Sequence, residues 1–305
     1  MRYGSYFCDT VIKDGIVSKK SKNDEGQKKL ECEYSFYKHQ CSLLMPRVKC
    51  VIDDIGGTEL QIQYLRDSHT LYDIFKESSV SKRYFLYDKV ILSLNLLHAS
   101  TQRENVCDEA SIYEELITKI RYRYKTIKSI ISRYEKDIKS VNGVSIKGID
   151  ECLSGIEEWY NTNIKGKNMR SARIHGDPTL NNILVKNNEG KEVYFIDPKG
   201  YFGTYDNHFG IPEYDIAKVH FSLSGYSQFD SISDIENHVK ISGNDISIDL
   251  QPLLPMDFIL KDKLVSFIMV TIWLGNAYGF RNNKLKCVSS FYYAMYMYSL
   301  FCLEK

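Results

Sequence analysis

The stretch Arg173-Ile-His-Gly-Asp-Pro-Thr-Leu-Asn-Asn-Ile-Leu-Val185 decides how this chain is read. Ile174 lies on one side and Ile183, Leu184 and Val185 on the other, and apolar flanks of this kind anchor a segment in a core. The carboxylate of Asp177 and the two carboxamides between them are therefore held in place. Shortly after, Val193-Tyr-Phe-Ile-Asp197 has the β-branched and aromatic composition of a strand and ends on a second carboxylate. Asn187-Asn-Glu-Gly190 supplies turn residues joining it to Asn182-Ile-Leu-Val185. Folding that hairpin brings Asp197 beside Asn182, so the oxygen-bearing side chains of Asp177, Asn182 and Asp197 converge on one small volume.

Such a set suits a hard divalent cation such as Mg²⁺, which takes oxygen ligands and keeps waters and substrate phosphates in its shell. Asn182 and Asp197 fit the ligand role. Asp177, a few ångströms away and off the metal, is placed to accept a proton from an attacking hydroxyl.

Towards the N-terminus, Asp14-Gly15 separates Thr10-Val-Ile-Lys13 from Ile16-Val-Ser-Lys-Lys20, which predicts a β-hairpin with a two-residue turn. Lys28 to Gln40 carries Leu30, Tyr34 and Tyr37 at helical spacing. Arg47 to Asp53 and the alternating Thr58 to Leu65 read as strands about a Gly56-Gly57 turn. From Leu71 onward helices dominate. Val80 to His98 carries Tyr84, Leu86, Val90, Leu94 and Leu97, and Glu109 to Lys139 repeats Ile112, Leu116, Ile120, Tyr124, Ile127, Ile131, Tyr134 and Ile138. The charged residues of that second run form a solvated face. No internal repeat or low-complexity linker interrupts the chain.

At 305 residues and 43% apolar content the chain can fill a sizeable core. Forty basic against thirty-nine acidic side chains, a net charge of +1, predict no bulk attraction to nucleic acid or anionic membrane. The expected partner is a small molecule. The eight cysteines include no Cys-x-x-Cys pair, and the expectation is reduced, mostly buried thiols in a cytoplasmic protein. Met-Arg-Tyr-Gly-Ser-Tyr lacks the apolar core of a signal peptide. Leu264 to Phe280 is short for a bilayer and reads as a buried helix rather than a membrane span.

His175-Gly-Asp177-x4-Asn182, followed by Ile196-Asp197, resembles the signature of the aminoglycoside phosphotransferase and choline kinase superfamily, small-molecule kinases with a protein-kinase-like fold. The resemblance implies an α+β, two-lobed architecture: a small N-terminal β-sheet lobe with one helix, residues 1–65, that binds nucleotide, and a larger, mainly helical catalytic and substrate-binding lobe, residues 66–305. It implies ATP and Mg²⁺ as cofactors. Asp177 becomes the catalytic base or hydroxyl-orienting residue, Asn182 and Asp197 the Mg²⁺ ligands, and His175 a structural residue that packs the loop. Leu30-x-x-Glu33-x-x-Phe36 is similar to the helix whose Glu pairs with the nucleotide-binding lysine. That lysine is Lys19, Lys20 or Lys22, with Lys19 preferred because Ile16-Val-Ser-Lys19 has the spacing of the Val-Ala-Ile-Lys strand. Gln63-Tyr-Leu65 and Ser68-His-Thr-Leu71 resemble the hinge, so adenine would meet backbone near Tyr64 and Leu65. Leu94-x-x-Leu97-His98 resembles the helix end that precedes the family's variable insert. Tyr214-Asp215-Ile-Ala217 resembles the helix start whose carboxylate, here Asp215, braces the catalytic loop. Gly4-Ser5-Tyr6 stands where the phosphate-covering loop belongs, and so few residues precede it that the first strand must be short or missing.

For the acceptor, Asp197-Pro-Lys-Gly-Tyr-Phe-Gly203, Gly210 to Lys218 and Ser224-Gly-Tyr226 are similar to a subgroup associated with bacterial capsule and surface-polysaccharide genes, which implies a hydroxyl of a sugar or sugar-related molecule. Choline, ethanolamine or an aminoglycoside is the alternative, and a catalytically idle nucleotide-binding module is another. A cationic acceptor calls for acidic side chains or an aromatic cage. The C-terminal aromatics, Trp273, Tyr278, Phe280, Phe291 to Tyr293, Tyr296, Tyr298 and Phe301, have the helical spacing of core residues, and no acidic cluster accompanies them.

Overall fold

The computed structural model describes residues 2–4, 7–39, 48–54, 57–101, 106–134, 138–186 and 192–303. A three-residue strand β1 (Arg2–Gly4) pairs with β2 (Cys8–Lys13). β2 turns into β3 (Ile16–Ser21) at Asp14 and Gly15, whose φ values of 52° and 76° are the left-handed pair that a tight hairpin needs. Helix α1 (Asp24–Lys38) begins ahead of the apolar spacing, because the Asn23 side chain accepts the Gly26 N–H at 2.8 Å and Asp24 and Glu25 fill the first turn. Its buried face carries Leu30, Glu33, Phe36 and Tyr37. Strands β4 (Val48–Asp54) and β5 (Gly57–Gln63) complete an antiparallel five-stranded sheet in the order β1-β2-β3-β5-β4. Gln40, Arg47 and Gly56 of the expected elements lie outside the described residues.

Next come β6 (Ser68–Thr70), α2 (Leu71–Glu77) and α3 (Val80–Ala99), the helices opened by Thr70 and Ser79 accepting N–H bonds from Asp73 and Lys82. The long run expected from Glu109 to Lys139 is α4 (Glu109–Tyr113), a π-helical turn (Glu114–Thr118) and α5 (Lys119–Ile131). Its stripe of Ile112, Leu116, Ile120, Tyr124, Ile127 and Ile131 is buried as the spacing demands. The helix stops at Ile131 because the following chain is captured elsewhere. The N–H groups of Lys139 and Ser140 both donate to the Asn244 carbonyl, and β7 (Ser140–Val141) joins a sheet.

The remainder runs through β8 (Val144–Ser145), α6 (Ile149–Asn163), β9 (Ala172–Arg173), β10 (Ile183–Lys186), β11 (Glu192–Phe195), β12 (Phe209–Gly210), α7 (Pro212–Phe221), α8 (Ser227–Ser231), β13 (Val239–Ser242), β14 (Asp245–Ile248), α9 (Met256–Ile259), α10 (Lys263–Asn276) and α11 (Lys284–Leu303). β10 and β11 are the expected hairpin, with Ile183 opposite Phe195, and the turn Asn187 to Gly190 lies outside the described residues. Two compact units emerge: Met1–Asp108 with Arg170–Ile216, and Glu109–Met169 with Ala217–Lys305. The first holds the five-stranded sheet, the β11-β10-β6 sheet and every residue singled out above for the chemistry.

In the second unit Trp273 is fully buried, its ring 4.7 Å from Phe221 and 4.8 Å from Tyr293, and its Nε1–H donates to Ser224 Oγ at 2.9 Å. Phe291, Tyr292 and Tyr298 are buried as well. Lys263 to Phe280 has the length and composition of a membrane span, yet 61% of it is buried within the fold, which suits a core helix.

Candidate active site

The loop between β9 and β10 is organised around Asp215, whose side chain is fully buried at the start of α7. Its Oδ2 accepts the His175 N–H at 2.8 Å and its Oδ1 the Gly176 N–H at 2.7 Å, while His98 Nε2 lies 2.8 Å from Oδ2. A buried carboxylate that accepts charge-assisted bonds from two consecutive backbone amides fixes the loop before any ligand arrives. His175, itself fully buried, continues the network. Its Nε2 lies 3.0 Å from the Ile196 carbonyl, to which it must donate, so Nδ1 is the acceptor for the Asp177 N–H at 3.2 Å. Burial pushes the His175 imidazole below its ordinary range against the pull of Asp215 and Asp177, which keeps it in that neutral form. His175 therefore packs and pins the loop.

Beyond this pivot, Asn182 donates from Nδ2 to the Asp177 carbonyl at 2.9 Å and to Asp177 Oδ2 at 3.2 Å. The Ile196 N–H donates to the Asn182 carbonyl at 2.9 Å. The hairpin thus brings residue 197 beside residue 182, as its folding required.

On the other side of Asp197 stands Lys19. Strand alternation buries it at 8% exposure and leaves Lys20 exposed. Lys19 Nζ lies 2.6 Å from Glu33 Oε1 and 2.5 Å from Asp197 Oδ1. Burial works to lower the Lys19 ammonium, but the Asp197 and Glu33 carboxylates hold it above its usual range, so it stays charged. Burial raises the Glu33 carboxyl, opposed by Lys19. An ammonium has three donors, and among the described residues two of them are taken here, by Glu33 and Asp197.

Asp197 has a left-handed φ of 56°, a region where Asp is better tolerated than most residues, and its side chain is 50% exposed. Among the described residues no group of three or more His, Cys, Asp and Glu gathers as a closed metal site. The donors that are present, a half-exposed carboxylate and a carboxamide whose NH₂ is spent on Asp177, offer hard oxygens. That fits a Mg²⁺ completed by water and phosphate rather than a cation caged by protein. Tyr64 and Leu65 sit at the exit of β5. The Tyr64 N–H is already donated to the Gly15 carbonyl at 2.9 Å, and the Leu65 carbonyl accepts from Ser68 Oγ at 2.6 Å.

No family model matches the sequence, and no curated protein matches it. Solved structures do. A choline kinase from Cryptosporidium parvum Iowa II is similar at 11% identity and a TM-score of 0.56, over 100% of this chain and 88% of the other. A glucosamine kinase in complex with glucosamine, ADP and inorganic phosphate is similar at 11% identity and a TM-score of 0.54, over 99% and 75%. The gentamicin complex of APH(2″)-IIa is 16% identical with a TM-score of 0.47, over 98% and 88%. The chain has the protein-kinase-like fold of the small-molecule kinases.

Within this kinase-like fold, residues beyond the expected set complete the site. Tyr37 hydrogen-bonds Glu33 through its hydroxyl, which also accepts the Asp197 N–H at 3.2 Å. Its place four residues after Glu33 on the buried face of α1 is the signal that could have found it. His98 was legible as a helix end, but its bond to Asp215 spans 117 residues and depends on the fold.

Proposed function

We propose that the chain is an ATP-dependent phosphotransferase that moves the γ-phosphate to a hydroxyl of a sugar or sugar-related molecule, of the kind used in assembling bacterial surface polysaccharides in the cytoplasm. The observation that carries this reading is the Lys19–Glu33–Asp197 cluster beside a loop in which Asn182 is bonded to Asp177. Phosphoryl transfer asks a protein chiefly for positioning and charge neutralisation. Lys19, steadied by Glu33 and Tyr37, holds the α and β phosphates with its remaining donor. Tyr64 and Leu65 meet the adenine edge with backbone groups. Asp177 orients the acceptor hydroxyl and takes its proton, while Asn182 fixes the Asp177 carboxylate in place. Asp197 and Asn182 are the residues that would hold Mg²⁺, which when bound neutralises charge on the phosphate oxygens.

A neutral hydroxyl acceptor is favoured over a quaternary ammonium by what the aromatic side chains are doing. Trp273, Phe291, Tyr292 and Tyr293 are buried in packing, and the Tyr278 ring is met by Arg281 at 4.3 Å and Arg123 at 5.8 Å. A cation–π cage needs open ring faces. The test is an ADP-release screen with sugars, amino alcohols and aminoglycosides as acceptors. Turnover with a sugar that vanishes in Asp177→Asn supports the reading, and turnover with choline or an aminoglycoside alone overturns the acceptor class. A protein that binds MgATP and turns over none of them is an idle module.

A further inference from the structure

Gly200 follows Asp197 by three residues and has a left-handed φ of 69°. Its N–H donates to the His175 carbonyl at 3.2 Å, which ties it to the loop that carries Asp177. Its other side faces α1. A Cβ built on Gly200 would lie 2.4 Å from the Cys32 carbonyl oxygen, 2.8 Å from the Cys32 carbonyl carbon and 3.3 Å from the Glu33 nitrogen. These are backbone atoms in mid-helix and cannot rotate away, so any side chain at 200 must displace either the segment or the helix turn that bears Glu33. Further contacts line the same seam: Cys32 Sγ meets the Tyr205 carbonyl at 3.5 Å, Tyr205 Oη donates to Glu25 at 3.1 Å, and Arg173 donates to Ser35 Oγ at 3.3 Å. The segment after Asp197 therefore lies along α1, closest at Gly200.

We propose that Gly200 is a positioning residue for the Lys19–Glu33–Asp197 cluster: having no side chain, it lets the chain leaving Asp197 lie directly on the Cys32–Glu33 peptide of α1 and hold Glu33 against Lys19. The inference rests on reading that cluster as the nucleotide site. Gly143 separates the two demands made on Gly200. Its φ is 74°, and a Cβ there meets nothing within 4 Å, so Gly143→Ala carries the dihedral strain without the contact.

The experiment is a titration of MgATP into the full chain as wild type, Gly200→Ala, Glu33→Gln, the double variant and Gly143→Ala, with thermal melts alongside. Gly200→Ala is expected to weaken binding about tenfold, and the double variant to bind no worse than Glu33→Gln alone, since both changes remove one contact. Gly143→Ala binds as wild type. Should Gly200→Ala fail to fold, Tyr205→Phe removes the hydroxyl that bonds Glu25 and Tyr201 while leaving the Gly200 approach itself untouched, and about a two- to threefold loss that disappears in the Glu33→Gln background is the expected result. Losses that multiply in the double variants, or unchanged binding in Gly200→Ala or Tyr205→Phe, overturn the role of Gly200. If Lys19→Ala abolishes binding while Gly200→Ala leaves it intact, only this inference falls. A wild type that binds no MgATP overturns the nucleotide site itself, and the inference with it.

Discussion

The loop around Asp177 and the cluster around Lys19 solve the problem of placing a charge in different ways. In the loop a fully buried carboxylate, Asp215, accepts two backbone amides and lies against His98, which locks the chain at His175 and Gly176. In the cluster a half-exposed carboxylate, Asp197, leans on a buried ammonium shared with Glu33. Charge–charge contacts near solvent are cheap to exchange, whereas a backbone bond to a buried carboxylate is costly to break. The loop is thus set in place by bonds to a buried carboxylate, whereas Lys19 and Asp197 are held by a contact that can be exchanged.

Four substitutions or conditions probe that contrast. Asp177→Asn keeps the loop shape and is expected to lower kcat by about 10² to 10⁴-fold while calorimetric MgATP binding stays as in wild type. Equal losses in both would mean that the loop is not independent of the nucleotide side. Asp215→Ala strands two buried N–H groups and is expected to cost about 3–5 kcal/mol in chemical denaturation, with a cost below about 1 kcal/mol showing that the loop holds itself. Lys19→Ala leaves Glu33 buried and unpaired and should weaken nucleotide binding by about tenfold or more, against less than about twofold for exposed Lys20→Ala. The reverse ranking would show that β3 is read in the wrong register.

The smallest effect is that of pH. Burial depresses the imidazoles of His175 and His220, the latter to about 4, and both regain their ordinary range on unfolding. The unfolded chain then binds more protons than the folded one between about pH 6.5 and 4, so stability is complete above that window and is lost as pH falls through it. Thermal melts from pH 8 down to 4 are expected to show this decline, worth on the order of 1–3 kcal/mol. A flat profile across the window would mean that these rings are not held neutral.

The parts of the molecule legible in the sequence are those set by local chemistry. Asp14-Gly15 specifies a turn that only left-handed residues make well, and the stripe from Ile112 to Ile131 buries one helix face. The pairing that sets residue 197 beside residue 182 followed from a single hairpin, and the Ile16-Val-Ser-Lys19 spacing favoured the lysine that the structure buries. What was not legible depends on distant chain. The end of α5 is decided by the carbonyl of Asn244, the loss of the Tyr64 N–H by Gly15, and the close approach at Gly200 by a helix more than 160 residues earlier. None of these leaves a periodic trace.

As proposed, Asp197 together with Lys19 and Asn182 makes a Mg²⁺-dependent nucleotide site, which titrating ATP with and without Mg²⁺ into wild type and Asp197→Ala examines at its decisive residue. Saturable binding that requires Mg²⁺ in wild type and is absent from a folded Asp197→Ala is the predicted result. Indistinguishable titrations of the two proteins would contradict it.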